Sequence, residues 1–192
     1  VVMFNGFMLF EGGFAGAAET STDVIGTPIS LEYPVELTVT AEMSLTCDTS
    51  TVNMGSISGM TGGTVSGDRG CNVKTSNFDG YTLRANASSD PAMTKVTSNT
   101  ISFANYNGST GSWDGVGATE AEFGYNATGV HTVSSTEWYA LPTTPVVVSY
   151  SNVATDFNGV TTTMNYQAQA GANAYKPSGV YRANVTMTAV MN

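Results

Sequence analysis

The chain has 192 residues, with 15 acidic side chains against 6 basic ones and a formal net charge of −9. The cations Arg69, Lys74, Arg84, Lys95, Lys176 and Arg182 are scattered along the sequence, without the clusters that displace counterions from phosphates, so no nucleic-acid partner is expected. Only 11% of residues are charged, against roughly 25% in ordinary soluble domains; 28 Thr, 19 Ser and 15 Asn carry the polarity instead, a β-rich and turn-rich composition of the kind found outside the cell.

Residues 1–10 read VVMFNGFMLF and are apolar at eight of ten positions; residues 11–28 are small and glycine-containing, a linker by composition. The chain opens on Val1 with no basic stretch before the apolar run, which leads to the expectation that any signal peptide has already been removed. Ten residues are too few to cross a bilayer, and glycine with phenylalanines makes a poor helix. Three destinations are open to this segment: the first strand of its own sheet, insertion into a neighbouring subunit, or the remnant of a signal sequence.

From Ile29 to Cys47 every odd position is apolar while the even ones carry Ser, Glu, Pro and Thr, a strict period of two that predicts a strand with one face on a core. Pro34 divides it, because proline donates nothing to a ladder. Cys47 closes this strand and Cys71 opens another, and an even count of two in a chain of exported composition predicts one disulfide. The alternation returns in Tyr81, Leu83, Ala85 and Ala87, in Met164, Tyr166, Ala168 and Ala170, and in Tyr181, Ala183, Val185, Met187, Ala189 and Met191. Turn signals separate these runs, with Asn158-Gly159 read as a hairpin joining a strand from Val146 with one from Val160. No helical period is sustained, so the expected fold is an all-β sandwich over residues 29–192. Its core is expected to hold Leu37, Val39, Met43, Leu45, Tyr181, Val185 and Met187.

Little in the chain points to catalysis. His131 is the single histidine, and no nucleophile elbow, phosphate loop or zinc motif accompanies it. Two cysteines are too few for thiolate metal ligation, and Asp156-Phe157-Asn158-Gly159 lacks the remaining carboxylates of a calcium loop, so no metal and no cofactor are expected. No apolar run approaches the roughly 20 residues of a membrane span. Trp113, Trp138 and Tyr139 sit in turn-rich stretches where they could stack on sugars or pack on the protein. Sequons at Asn86, Asn107, Asn126 and Asn184 permit glycosylation.

Around the first cysteine the sequence reads Leu45-Thr46-Cys47-Asp48-Thr49-Ser50-Thr51-Val52-Asn53-Met54-Gly55-Ser56-Ile57, followed by Cys71-Asn72-Val73-Lys74, Gly80-Tyr81-Thr82-Leu83 and a closing Gly179-Val180-Tyr181 strand. This resembles secreted pilin-like domains of the chaperone-usher and spore coat protein U type. The resemblance implies an immunoglobulin-like sandwich that lacks one strand and is completed by the amino-terminal extension of the next subunit. Val2, Phe4, Gly6, Met8 and Phe10 are then the donor strand, and the core residues above line the acceptor groove. The implied function is a structural subunit of an extracellular pilus or fimbria, a homopolymer of identical subunits without enzymatic activity. The alternative is a monomeric surface adhesin or carbohydrate-binding module.

Overall fold

A computed structural model describes residues 29–48, 51–108 and 111–192. The expected donor strand 1–10 and linker 11–28 lie outside the described residues. The chain divides at Val39/Thr40 into two units. Of the first, residues 29–39 are described; they contain no strand, turn or bend.

The second unit, Thr40–Asn192, is all-β, with no helix among the described residues. Its strands are β1 (Met43–Cys47), β2 (Gly63–Thr75), β3 (Tyr81–Ala87), β4 (Met93–Lys95), β5 (Ser98–Ser102), β6 (Ala104–Asn105), β7 (Ala121–Thr128), β8 (Val146–Ser151), β9 (Val160–Ala170), β10 (Tyr181–Ala183) and β11 (Val185–Met191). They form a five-stranded sheet in the order β1-β2-β9-β7-β6 and two three-stranded sheets, β11-β3-β8 and β10-β4-β5. One hydrophobic cluster draws on the inner faces of all three, an arrangement consistent with a β-sandwich. The period-two readings hold in register: Tyr81, Leu83, Ala85 and Ala87 are buried along β3, as are Met164, Tyr166, Ala168 and Ala170 along β9. Met43, Leu45, Tyr181, Val185 and Met187 are half-buried against the same cluster.

Three expectations are corrected. Leu37 and Val39, expected in the core, are 87% and 79% exposed. The reason lies in the ladder: β1 pairs with β2 from Met43↔Thr75 to Cys47↔Cys71, and β2 ends at Thr75, so residues upstream of Met43 have no strand to pair with there. Among the described residues ahead of Met43, Glu42 alone is held to this edge, accepting from the Ser76 N–H at 3.0 Å and donating its own N–H to Ser76 Oγ at 2.9 Å. Second, Cys71 stands within the 13-residue β2 rather than at its start. The Cys47–Cys71 disulfide itself is present, joining residues directly opposite in the β1–β2 ladder.

Third, Asn158-Gly159 is a turn but not the tip of a hairpin between β8 and β9. Gly159 has φ +78°, its N–H bonds to the Asp156 carbonyl at 3.1 Å, and a Cβ there would sit 2.6 Å from the Val73 carbonyl oxygen, so only glycine fits. Yet β8 pairs with β3, while β9 pairs with β2 and β7. The turn therefore carries the chain from one sheet to another.

Candidate functional site

A cleft of about 1170 Å³ opens within the β unit, between the five-stranded sheet and the strands β10 and β11. Its apolar lining comes from Ile57 and Val65 on one wall, Phe123 and Tyr166 at its base, and Tyr181 and Val185 on the other wall. Two sheet edges flank it. β11 has a single ladder partner among the described residues, β3. Along β2, β1 covers Cys71–Thr75, while Thr64–Arg69 pair with β9 only, among the described residues. The segment 51–57 lies over β2 here, so close that a Cβ on Gly67 would meet Val52 Cγ1 at 2.6 Å. The cleft thus sets half-buried apolar side chains over a buried base beside strand edges, a combination that can receive another strand.

The cleft is also electropositive in an acidic protein. Arg69, Lys176 and Arg182, three of the chain's six cations, line it, and no Asp or Glu does. Arg69 stands opposite Met164 in the β2–β9 ladder, on the face that points between the sheets. Its Nε is buried and has no hydrogen-bond partner among the described residues, an expensive state for a cation's N–H. Lys176 donates to the Ser102 carbonyl at 2.6 Å and lies 5.3 Å over the Phe103 ring, where burial lowers its pKa. Phe103 in turn meets Tyr181 edge-on at 5.3 Å, and the Tyr181 hydroxyl donates to the Pro177 carbonyl at 2.9 Å. Burial pushes the Tyr166 phenol up to about 12, with Arg69 pulling the other way.

Of the residues expected to line an acceptor groove, Tyr181 and Val185 do line this cleft. Met43, Leu45 and Met187 pack on the core, and Leu37 and Val39 are exposed. Val2, Phe4, Gly6, Met8 and Phe10 lie outside the described residues. Sequence reasoning missed Arg69, Ile57, Phe103 and Phe123. Only Phe123 carried a usable signal: Ala121, Phe123, Tyr125 and Ala127 alternate as β7.

The other candidate, the aromatic group, is used internally. Trp113 stacks on Tyr106 at 4.4 Å, meets Trp138 edge-on at 5.2 Å, and donates its indole N–H to Gln169 Oε1 at 2.5 Å. Together with Tyr139 this group roofs the outer face of β7, where Gly124 leaves no room for a Cβ between Tyr106, Tyr139 and Trp113. It also buries Asn126, whose amide donates to the Glu137 carbonyl at 2.8 Å, so that this sequon is not accessible. His131 packs edge-on to Tyr81 at 6.4 Å.

Glu122, buried on β7, has its carboxyl pKa raised, chiefly by desolvation; the Asn107 N–H opposes the shift and Glu120 adds to it. A raised folded-state pKa means that the fold binds this proton more tightly than the unfolded chain does. Stability conferred by the neutral form is therefore lost as pH rises through the folded pKa. Glu122→Gln is expected to be more stable than wild type at pH 7, with the gap closing toward pH 4, as read by denaturant midpoints across that range.

Comparison with known protein families, curated proteins and solved structures finds no match to this chain.

Proposed function

We propose that this protein is a structural subunit of an extracellular filament, an immunoglobulin-like sandwich short of one strand that polymerises head to tail by accepting a strand from the next copy. The observation that carries the reading is the cleft: apolar walls, two flanking strand edges and a buried arginine N–H in want of an acceptor. An inserted strand supplies what all three lack, namely apolar cover, main-chain partners and carbonyl oxygens. A contact between unlike surfaces need not close on itself, so repetition yields a fibre. The Cys47–Cys71 bridge accords with an oxidising, extracellular setting. The donated strand comes from ahead of β1, where the sequence offers two apolar segments, 1–10 and 29–39.

The test is direct. Purified full-length chain, concentrated stepwise and followed by sedimentation velocity and negative-stain imaging, is expected to form unbranched polymers above a threshold concentration. A monodisperse monomer throughout would overturn the reading.

A further inference from the structure

We propose that the strand received by the cleft is Ile29–Val39 of a second copy of this chain, not residues 1–10. The inference rests on the filament reading above and identifies its donor.

Three observations converge on this segment. First, it is an unpaired strand by pattern. Ile29, Leu31, Tyr33, Val35, Leu37 and Val39 form one continuous apolar row, and all six are exposed, from 53% to 87%. A row of six large apolar side chains at period two is made for a half-buried strand, yet among the described residues it has no ladder partner, and no turn or bend interrupts residues 29–42. Second, its reach suits the site. Eleven extended residues span roughly 36 Å, enough to run the whole length of the β11 edge, whose seven residues span roughly 23 Å. Pro34 lacks an N–H and forfeits a single ladder bond.

Third, the charges match. The even positions of the segment carry Glu32 and Glu36 and no cation, whereas the cleft carries Arg69, Lys176 and Arg182 and no acid. Glu32 and Glu36 project from the face opposite the inserted apolar row, so in a chain of net charge −9 they steer the segment toward the cleft at long range without entering it. The inward row also brings one oxygen-bearing side chain, Tyr33, which with the strand's carbonyls can accept from the buried Arg69 Nε. Residues 1–10 contain no acidic residue and so offer no such complement.

A second copy is favoured over the chain's own segment by where the chain enters the sheet. From Glu42, pinned to Ser76, to Arg69 is seven residues or roughly 23 Å along β2, a span that uses up residues 36–41, so the chain's own Leu37 and Val39 fall short of the cleft whereas a second copy can present all six apolar side chains.

The test compares two double variants of the full-length chain, Val35→Asp with Leu37→Asp, and Phe4→Asp with Phe10→Asp. Because Val35 and Leu37 are each 87% exposed, the first pair is expected to leave the folded monomer intact by circular dichroism and thermal melting. It is also expected to raise the polymerisation threshold roughly a hundredfold, since two carboxylates would have to enter an apolar cleft. The second pair should polymerise as wild type does. Glu32→Lys with Glu36→Lys should weaken assembly less, and most at low salt. Polymers lost with the Phe4 and Phe10 changes but kept with the Val35 and Leu37 changes would overturn the donor assignment while leaving the filament reading standing. If wild type stays monomeric and the Val35 and Leu37 changes lower its melting temperature, the segment fills its own cleft and both readings fall. A wild-type monomer indifferent to every variant removes both as well.

Discussion

Leu83→Asp is expected to leave the protein unfolded at room temperature. Leu83 is fully buried at the centre of β3, between Ala189 of β11 and Ser149 of β8, so the change deletes a core side chain and buries a carboxylate with no cation to meet it. The first effect alone costs about 2–5 kcal/mol, and an unpaired buried charge adds several more. Together they rival the whole stability of an ordinary domain, about 5–15 kcal/mol. Thr188→Asp is the control. It is exposed on β11 directly opposite Arg84, where a carboxylate gains a cross-strand partner, and its effect should stay within about 0.5 kcal/mol. Circular dichroism of the two variants reads the difference. Were Thr188→Asp the damaging change, the β3–β11 register would be wrong by one residue.

Breaking the disulfide should have the second largest effect. Cys47 and Cys71 are 24 residues apart, and releasing a loop of that size restores unfolded-chain entropy equivalent to about 3.5 kcal/mol in the chain-entropy model. Denaturant midpoints for Cys47→Ala with Cys71→Ala should fall accordingly, with a slope that rises as the unfolded chain expands. An unchanged midpoint would show that the β1–β2 ladder holds without its bridge.

Much of the sandwich was legible because alternation speaks directly about burial. β3, β9 and β11 each bury the face that their odd or even positions announced. Alternation is silent, however, about who the neighbour is. Residues 29–39 carry the same signal as β1, in a run that Pro34 divides, but a pattern of side chains cannot reveal that β2 stops at Thr75. Likewise Asn158-Gly159 announced a turn correctly, and nothing in a dipeptide says whether the strands it separates belong to one sheet or two. The first part of β2, ahead of Cys71, escaped notice for another reason: Gly67 and Arg69 interrupt its inward apolar row, and Gly67 answers to its close neighbour Val52. The cleft was least legible of all. Arg69, Phe103, Tyr166 and Tyr181 lie far apart in sequence and line one cleft only through the packing of β2, β9, β10 and the β5–β6 connection. The six cations that look scattered along the chain are, for half their number, gathered there.

The position of the disulfide has a mechanical meaning. Tension applied through the residues ahead of Met43 enters the fold at the open end of the β1–β2 ladder and peels it pair by pair, starting at Met43↔Thr75. The fifth pair, Cys47↔Cys71, is covalent. Unravelling stops after roughly 13 Å of released strand, and the load passes from β1 into β2, which pairs with β9 along eleven residues. The bridge acts as a stop that confines extension to one short strand, turning an unzipping geometry into a tether anchored in the longest ladder of the protein.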